Sequence, residues 1–378
     1  MIPRRPPDAA LLAVTAVLTA IGIVMVFSAS SAVAYTQYHD AAYYLKRELL
    51  WAVVGAGALV LGMRLDYQKL RPLAPWIFAV AVILLGAVLV PSLGSIEGGA
   101  RRWLDLRLFT FEPSEFAKLA IVVFVAWLLS TRTDGAASFA QVGFPVIFWV
   151  AVCFVLVMRQ PDLGTASIYL LTAFVMLFAG GAKLRHLFLE AAIAIPTLLM
   201  FIYASPYRRD RFLAFLHPWK DPQGTGYHII QSLYALGSGG LFGLGLGQSR
   251  QKFGYLPAQH TDFIFAIIGE ELGYIGAIAV LALFMVFAYR GIRVAMRAED
   301  RFGFFLAVGI TASITVQALI NIGVVTSSWP VTGVPLPFVS YGGTSLVITL
   351  FSVGLLASAS RGTRKPAASM PLPRAKAS

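Results

Sequence analysis

The chain is short of charge, and of cysteine and histidine. Charged residues fill 13% of its 378 positions, about half of the ~25% with which a soluble globular protein covers its surface. A water-soluble enzyme is excluded on that ground. The single cysteine, Cys153, lies in an apolar run and allows neither an intramolecular disulfide nor a cysteine metal cluster. The histidines, His39, His186, His217, His228 and His260, show no His-x-x-x-His spacing and have no dense acidic motif beside them. A structural metal is therefore not expected, while a divalent cation carried loosely on a diphosphate substrate stays open. No nucleotide-binding fingerprint is present. What is abundant is apolar: 58% of the residues are hydrophobic, with 27 Phe, 14 Tyr and 7 Trp, and the mean hydropathy is +0.75. That composition excludes disorder and leaves an integral membrane protein with several spans.

A bilayer core takes about 20 apolar residues as a helix. The hydropathy predicts an all-α membrane protein of ten spans: 9–30, 48–63, 74–91, 114–130, 142–158, 163–181, 186–204, 263–289, 302–325 and 342–359. The second is short and extends backward if Tyr43–Glu48 joins it. The first is too long for a signal-peptide core and reads as an uncleaved helix. An even number of spans puts both termini on one side. With that side cytoplasmic, 17 of the 30 cations fall in cytoplasmic segments and six in short external loops, the bias the positive-inside rule requires. The net charge of +12 then needs no nucleic acid as partner. Residues 1–360 read as one polytopic domain, and 361–378 as a disordered cytoplasmic tail. A loop at 205–262 is external and too long to be passive. Within it Tyr227–Leu236 has the spacing of a short amphipathic helix at the interface.

Charges inside spans are costly and face a cavity or a partner. Glu115 and Lys118, three residues apart, share one helix face and form either a self-compensating ion pair or part of a site. Glu270 and Glu271 stand side by side in the eighth span, so at least one faces the interior. Asp162 and Asp262 each precede a span on the external side and suit an N-cap. Asp262, beside His260 at the end of the long loop, is also placed to take a proton from a substrate hydroxyl. The glycines Gly237, Gly239, Gly240, Gly243, Gly245 and Gly247 let backbone N–H groups approach a diphosphate, or let the chain pack tightly. Arg250 and Lys252, Arg208, Arg209 and Arg211, with Arg101 and Arg102, make an external surface suited to an anionic head group or to acidic phospholipid.

Several segments resemble one family. They are Gly99-Ala100-Arg101-Arg102-Trp103, Pro113-Ser114-Glu115-Phe116-Ala117-Lys118-Leu119, Gln160-Pro161-Asp162-Leu163-Gly164, Gly237-Ser238-Gly239-Gly240-Leu241, the run from Tyr255 to Gly273, and Leu336-Pro337-Phe338-Val339-Ser340-Tyr341-Gly342-Gly343. In this order they are similar to the SEDS family of cell-wall proteins (shape, elongation, division and sporulation). Residues 251–257 and 269–273 look more like its division and sporulation branches than its elongation branch. Two positions depart from the usual family pattern: Glu112 replaces Gln before Pro-Ser-Glu, and Ala258 replaces Glu after Leu-Pro.

The resemblance implies a peptidoglycan glycosyltransferase of the cytoplasmic membrane. It would polymerise lipid II into undecaprenyl-diphosphate-linked glycan on the outer face, beside a class B penicillin-binding protein and other division or elongation proteins. The family's essential acid falls on Asp262 and its basic position on Lys118. Asp262 is the expected base. Arg101, Arg102, Trp103, Glu115, Lys118, Asp162, Lys252, His260, Glu270, Glu271 and Ser340 are the expected substrate-binding residues. The two arginines, with Lys118, would neutralise the leaving diphosphate, or Lys118 would pair with Asp262 and hold it ionised. A lipid II flippase and a non-catalytic division scaffold are the alternatives.

Overall fold

The computed structural model describes residues 6–97, 100–107, 109–131 and 139–361. Arg4, Arg5, Gly99, Arg132 and the expected tail from residue 362 onward lie outside the described residues. Helices α1 (Ala9–Tyr38), α2 (Tyr43–Arg64), α3 (Leu70–Val88), α4 (Pro113–Thr131), α5 (Phe144–Arg159), α6 (Leu163–Ala179) and α7 (Leu184–Tyr203) are followed by two short ones, α8 (Pro206–Leu216) and α9 (Tyr227–Ser238). Then come α10 (Ile264–Met296), α11 (Arg301–Val325) and α12 (Gly343–Ser360). Each expected span falls on one of α1 to α7 or α10 to α12. Among the described residues, eight helical stretches are long and apolar enough to cross a membrane. At 17 residues α6 is shorter, and α2, outside the eight, opens with Lys46, Arg47 and Glu48. The protein is a multi-pass membrane protein.

The described ends refine the expected spans. Small Ser and Ala residues carry α1 two turns past Ser30, until His39 turns left-handed (φ 53°) and ends it. The second span does begin at Tyr43. The segment 92–113 is not all coil: β1 (Gly94–Glu97), β2 (Ala100–Asp105) and β3 (Thr110–Phe111) form an antiparallel sheet in that order.

Buried nearly all round, α4 and α11 form the centre of the bundle, packed against each other and against α3, α6, α10 and α12. Their apolar residues accordingly cover every face instead of one stripe. By contrast α7 exposes Leu184, Phe188, Ile193 and Met200. The apolar side of α9, with Ile229, Ile230 and Ala235 buried, packs on α10 and α11.

Asp8 caps α1, accepts two hydrogen bonds from Arg290 (2.5 and 3.1 Å), and its N–H donates to Ser360 at the end of α12 (3.1 Å). Both described chain ends therefore meet at one end of the bundle. Asp262 stands at the start of α10 and Arg290 near its other end, so α10 leads from the aspartate to the end of the bundle that carries the chain termini.

Candidate active site

Asp262 stands half-buried at the start of α10, at the end of the bundle away from the chain termini. Its backbone is fixed twice over. The Asn321 amide donates to the Asp262 carbonyl (2.7 Å) and to that of Val334 (2.8 Å). Ser340 donates to the Thr261 carbonyl (2.5 Å) and accepts from Leu336 N–H (2.8 Å), while Tyr341 N–H donates to the His260 carbonyl (3.0 Å). Ser340, an expected substrate-binding residue, thus ties the 335–341 segment to the Asp262 loop.

Removal from water raises the Asp262 carboxyl to about 6; Arg102 and Arg211 pull it down against that, and Asp162 adds to the rise. Four charges therefore converge: Asp262, Asp162, Arg102 and Arg211. Asp162 caps α6 through Thr165 N–H (3.0 Å) and lies 3.6 Å from an Arg102 nitrogen. It serves as both cap and ion-pair partner. Arg102 also donates to the carbonyls of Gln160 (3.0 Å) and Pro161 (2.6 Å), which orients it at the mouth of α6. His260 is held neutral, its pKa driven down to about 4 by burial. Its ring rests 4.5 Å from Tyr44 and 5.8 Å from Tyr341, so it contributes shape and not positive charge.

Strand alternation separates two residues expected to act together. Arg101 and Arg102 are neighbours on β2 and point to opposite faces. Arg101 packs its stem over Gly94, leaving only Arg102 at the aspartates. Trp103 is half-buried on the same strand, beside Ser95.

Lys118 corrects an expectation. It does not pair with Asp262: its ammonium bonds Glu115 (2.7 Å) and Gln317 (2.5 Å), with Glu115 and Lys118 both buried. The three line a cavity between α4, α11 and α12 with Ser313, Thr349 and Ser352. Helical spacing explains the choice, since Glu115 lies on the same face one turn away.

In the glycine-rich segment the structure shows the tight packing that was one of the two expectations. Gly273 breaks α10 with φ 70° and ψ −170°. Across the break, Leu244 and Gly245 N–H donate to the Glu270 and Glu271 carbonyls, and Tyr274 and Ile275 N–H donate to those of Gly240 and Leu241. A Cβ on Gly239 or Gly243 would lie 2.0 and 2.2 Å from backbone oxygens of α10. Gly239 and Gly243 are there for close packing, while Gly240, Gly245 and Gly247 hold positive φ. The loop does present N–H groups to an anion, but that anion is internal. Glu270 accepts from the Ser249 hydroxyl (2.5 Å) and Arg250 N–H (2.9 Å). Glu271 accepts from Ser28 (2.6 Å), Ser249 N–H (3.2 Å) and the Lys252 ammonium (3.4 Å). Glu270, Glu271 and Lys252, expected as substrate ligands, anchor this loop.

Comparison with known proteins identifies the lineage. The family model for FtsW, RodA and SpoVE, described as cell cycle proteins, matches residues 8–365. The chain belongs to this family. It is 45% identical over 361 residues to the stage V sporulation protein E of Bacillus subtilis strain 168, covering 96% of this chain and 99% of that protein. It is 43% identical over 357 residues to the probable peptidoglycan glycosyltransferase FtsW of Trichlorobacter lovleyi, covering 94% of each. Among solved structures, it resembles a chain of a peptidoglycan synthase complex that coordinates polymerization and crosslinking (TM-score 0.77, 29% identity, 95% of this chain and 99% of that one). It also resembles the rod shape determining protein RodA of Thermus thermophilus (TM-score 0.71, 26% identity, 95% and 98%).

Glu112, one departure from the usual family pattern, becomes intelligible here. Burial, with Glu115 and Asp162 nearby, raises its carboxyl to about 8. It is therefore protonated at neutral pH and, like the usual Gln, carries no charge; it accepts from the Ser114 hydroxyl (2.7 Å). The other departure, Ala258, adopts φ 53°, and its carbonyl accepts from Thr261 and Phe263 N–H in the turn that carries Asp262. Sequence reading missed Asn321 and Gln317. The signal was present: two amides one turn apart on an apolar span. It also left Arg211 as generic positive charge.

Proposed function

We propose that this protein of the FtsW, RodA and SpoVE family is an inverting peptidoglycan glycosyltransferase that polymerises lipid II. It works at the outer face of the cytoplasmic membrane, in cell division or cell shape. Ten spans, cytoplasmic termini and an external 205–262 segment belong to the same proposal. The observation that carries it is Asp262: a half-buried carboxyl with a pKa of about 6, fixed through its backbone, with Arg102 and Arg211 close enough to act on it.

In this reaction Asp262 takes the proton of the 4-hydroxyl of the acceptor's terminal N-acetylglucosamine. The oxygen forms a bond to the anomeric carbon of the donor muramyl sugar, with inversion. The bond from that carbon to the diphosphate breaks, and its electron pair leaves on undecaprenyl diphosphate. Arg102 lies beside the base to balance the growing negative charge. A class B penicillin-binding protein is the partner that cross-links the product, a pairing supported by the likeness to a synthase complex.

The test is polymerisation of purified lipid II. Asp262→Asn should fold and bind its partner yet make no glycan; full polymerisation by this variant would sink the reading. The buried Glu115–Lys118 cavity is the one feature that favours a flippase instead. Movement of labelled lipid II across liposomes without glycan formation would establish that alternative.

A further inference from the structure

A cleft opens next to Asp262. It is lined by Pro161, Leu163, Arg208, Arg211, Thr332 and neighbouring apolar residues. Thr332 is 5% exposed, and its hydroxyl has no hydrogen-bond partner among the described residues. The Arg208 Nε and one Nη are likewise buried and without a partner there. Buried donors left unmet cost free energy, and so many in one place call for an acceptor. The cleft is joined to the base. Gly333 follows Thr332, and a Cβ on it would lie 3.4 Å from an Asp262 carboxylate oxygen. Pro161, on the opposite wall, carries the carbonyl that Arg102 holds.

We infer that this cleft is the seat of the donor's diphosphate, with Arg208 and Thr332 as ligands and Arg211 bridging toward Asp262. The inference rests on the glycosyltransferase reading and deepens it. When the anomeric C–O bond breaks, the electron pair stays on the diphosphate oxygen and its charge grows. A guanidinium with two buried nitrogens and a buried hydroxyl meet that charge without reorganising. Pro161 and Pro330 stiffen the walls.

Farnesyl diphosphate is the probe, binding to the purified full chain in neutral detergent. Arg208→Gln should weaken binding about tenfold or more and Thr332→Val about threefold. Lys220→Gln removes an equal charge from an exposed position beyond α8 and should leave binding unchanged. Inorganic pyrophosphate should compete, and phosphatidylglycerol at equal concentration should not. Wild-type affinity in Arg208→Gln, equal losses in Arg208→Gln and Lys220→Gln, or displacement by phosphatidylglycerol as effective as by pyrophosphate, overturns the inference. Should Arg208→Gln fail to fold by its melting curve, Thr332→Val carries the same test alone. The assay contains no sugar and no turnover. A chain that binds the probe through Arg208 but makes no glycan loses the glycosyltransferase reading and keeps the cleft. A chain that polymerises lipid II with unchanged kcat and KM in Arg208→Gln loses the cleft alone.

Discussion

A carboxylate acts as a base only while ionised, and Asp262 is held near the edge of that condition. With its pKa raised to about 6 by burial, the active form is present above that pH and lost as pH falls through it. The kcat/KM for lipid II should therefore rise through about pH 6 and level off. Arg102 opposes the rise, so Arg102→Gln should move the ascending limb to higher pH as well as slow the reaction. A limb that stays in place would show that Arg102 does not act on the base. Glu112 has the reverse logic. As a carboxyl that stays protonated to about pH 8, it should tolerate Glu112→Gln with polymerisation and melting temperature close to wild type. Glu112→Ala, which strips the Ser114 hydroxyl of its acceptor, should melt lower by the equivalent of about 1 kcal/mol.

At the scale of the element, α10 is two helical pieces joined through Gly273, and the glycine-rich segment is the splice. Its N–H groups satisfy carbonyls of the break and the two carboxylates behind it. Replacing Glu271 by Leu would leave the buried Lys252 ammonium and Ser249 N–H without their carboxylate. It should destabilise the protein by about 3–5 kcal/mol, read as a lower melting temperature in detergent. The pairing of α2 and α12 depends on size instead. A Cβ on Gly354 would lie 2.3 Å from the Leu59 carbonyl, and one on Gly62 would lie 2.7 Å from that of Phe351. Small residues let these backbones approach, so Gly354→Val should cost about 1–3 kcal/mol, while an exposed site such as Val53→Ala on α2 should change little.

At the scale of the molecule, the arrangement is a bundle with two chemically different ends. One carries the described chain termini with Arg290, Arg297, Arg301 and Arg361; the other carries Asp262. On the proposed topology the first lies in the cytoplasm. With Cys153→Ala as background, a cysteine introduced as Gln223→Cys should react with a membrane-impermeant maleimide in intact spheroplasts. One introduced as Glu299→Cys should react only after lysis. The opposite pattern would reverse the topology and remove Asp262 from the outer face.

Much of this was legible in the chain. Span positions follow from apolar run lengths, because hydrocarbon admits little else. The importance of Asp262, Asp162 and the Glu115–Lys118 pair follows from the rarity of charge in such runs. Sequence alone could not say which partner each charge takes, because that depends on side-chain direction and on residues distant in the chain. Lys118 turned to Glu115 and Gln317, Arg102 reached Asp162 while Arg101 turned away, and Glu270 and Glu271 became anchors for a loop. Asn321, Arg208 and Thr332 are unremarkable in the sequence. They become functional candidates only because packing removes water from them and leaves their donors facing the aspartate loop and the cleft beside it. The sequence by itself determined a multi-span helical bundle with a short list of costly charges. Tertiary structure decided which of those charges stay inside as supports and which stand at the mouth, because desolvation makes an unmatched charge costly and only the folded chain determines what matches it.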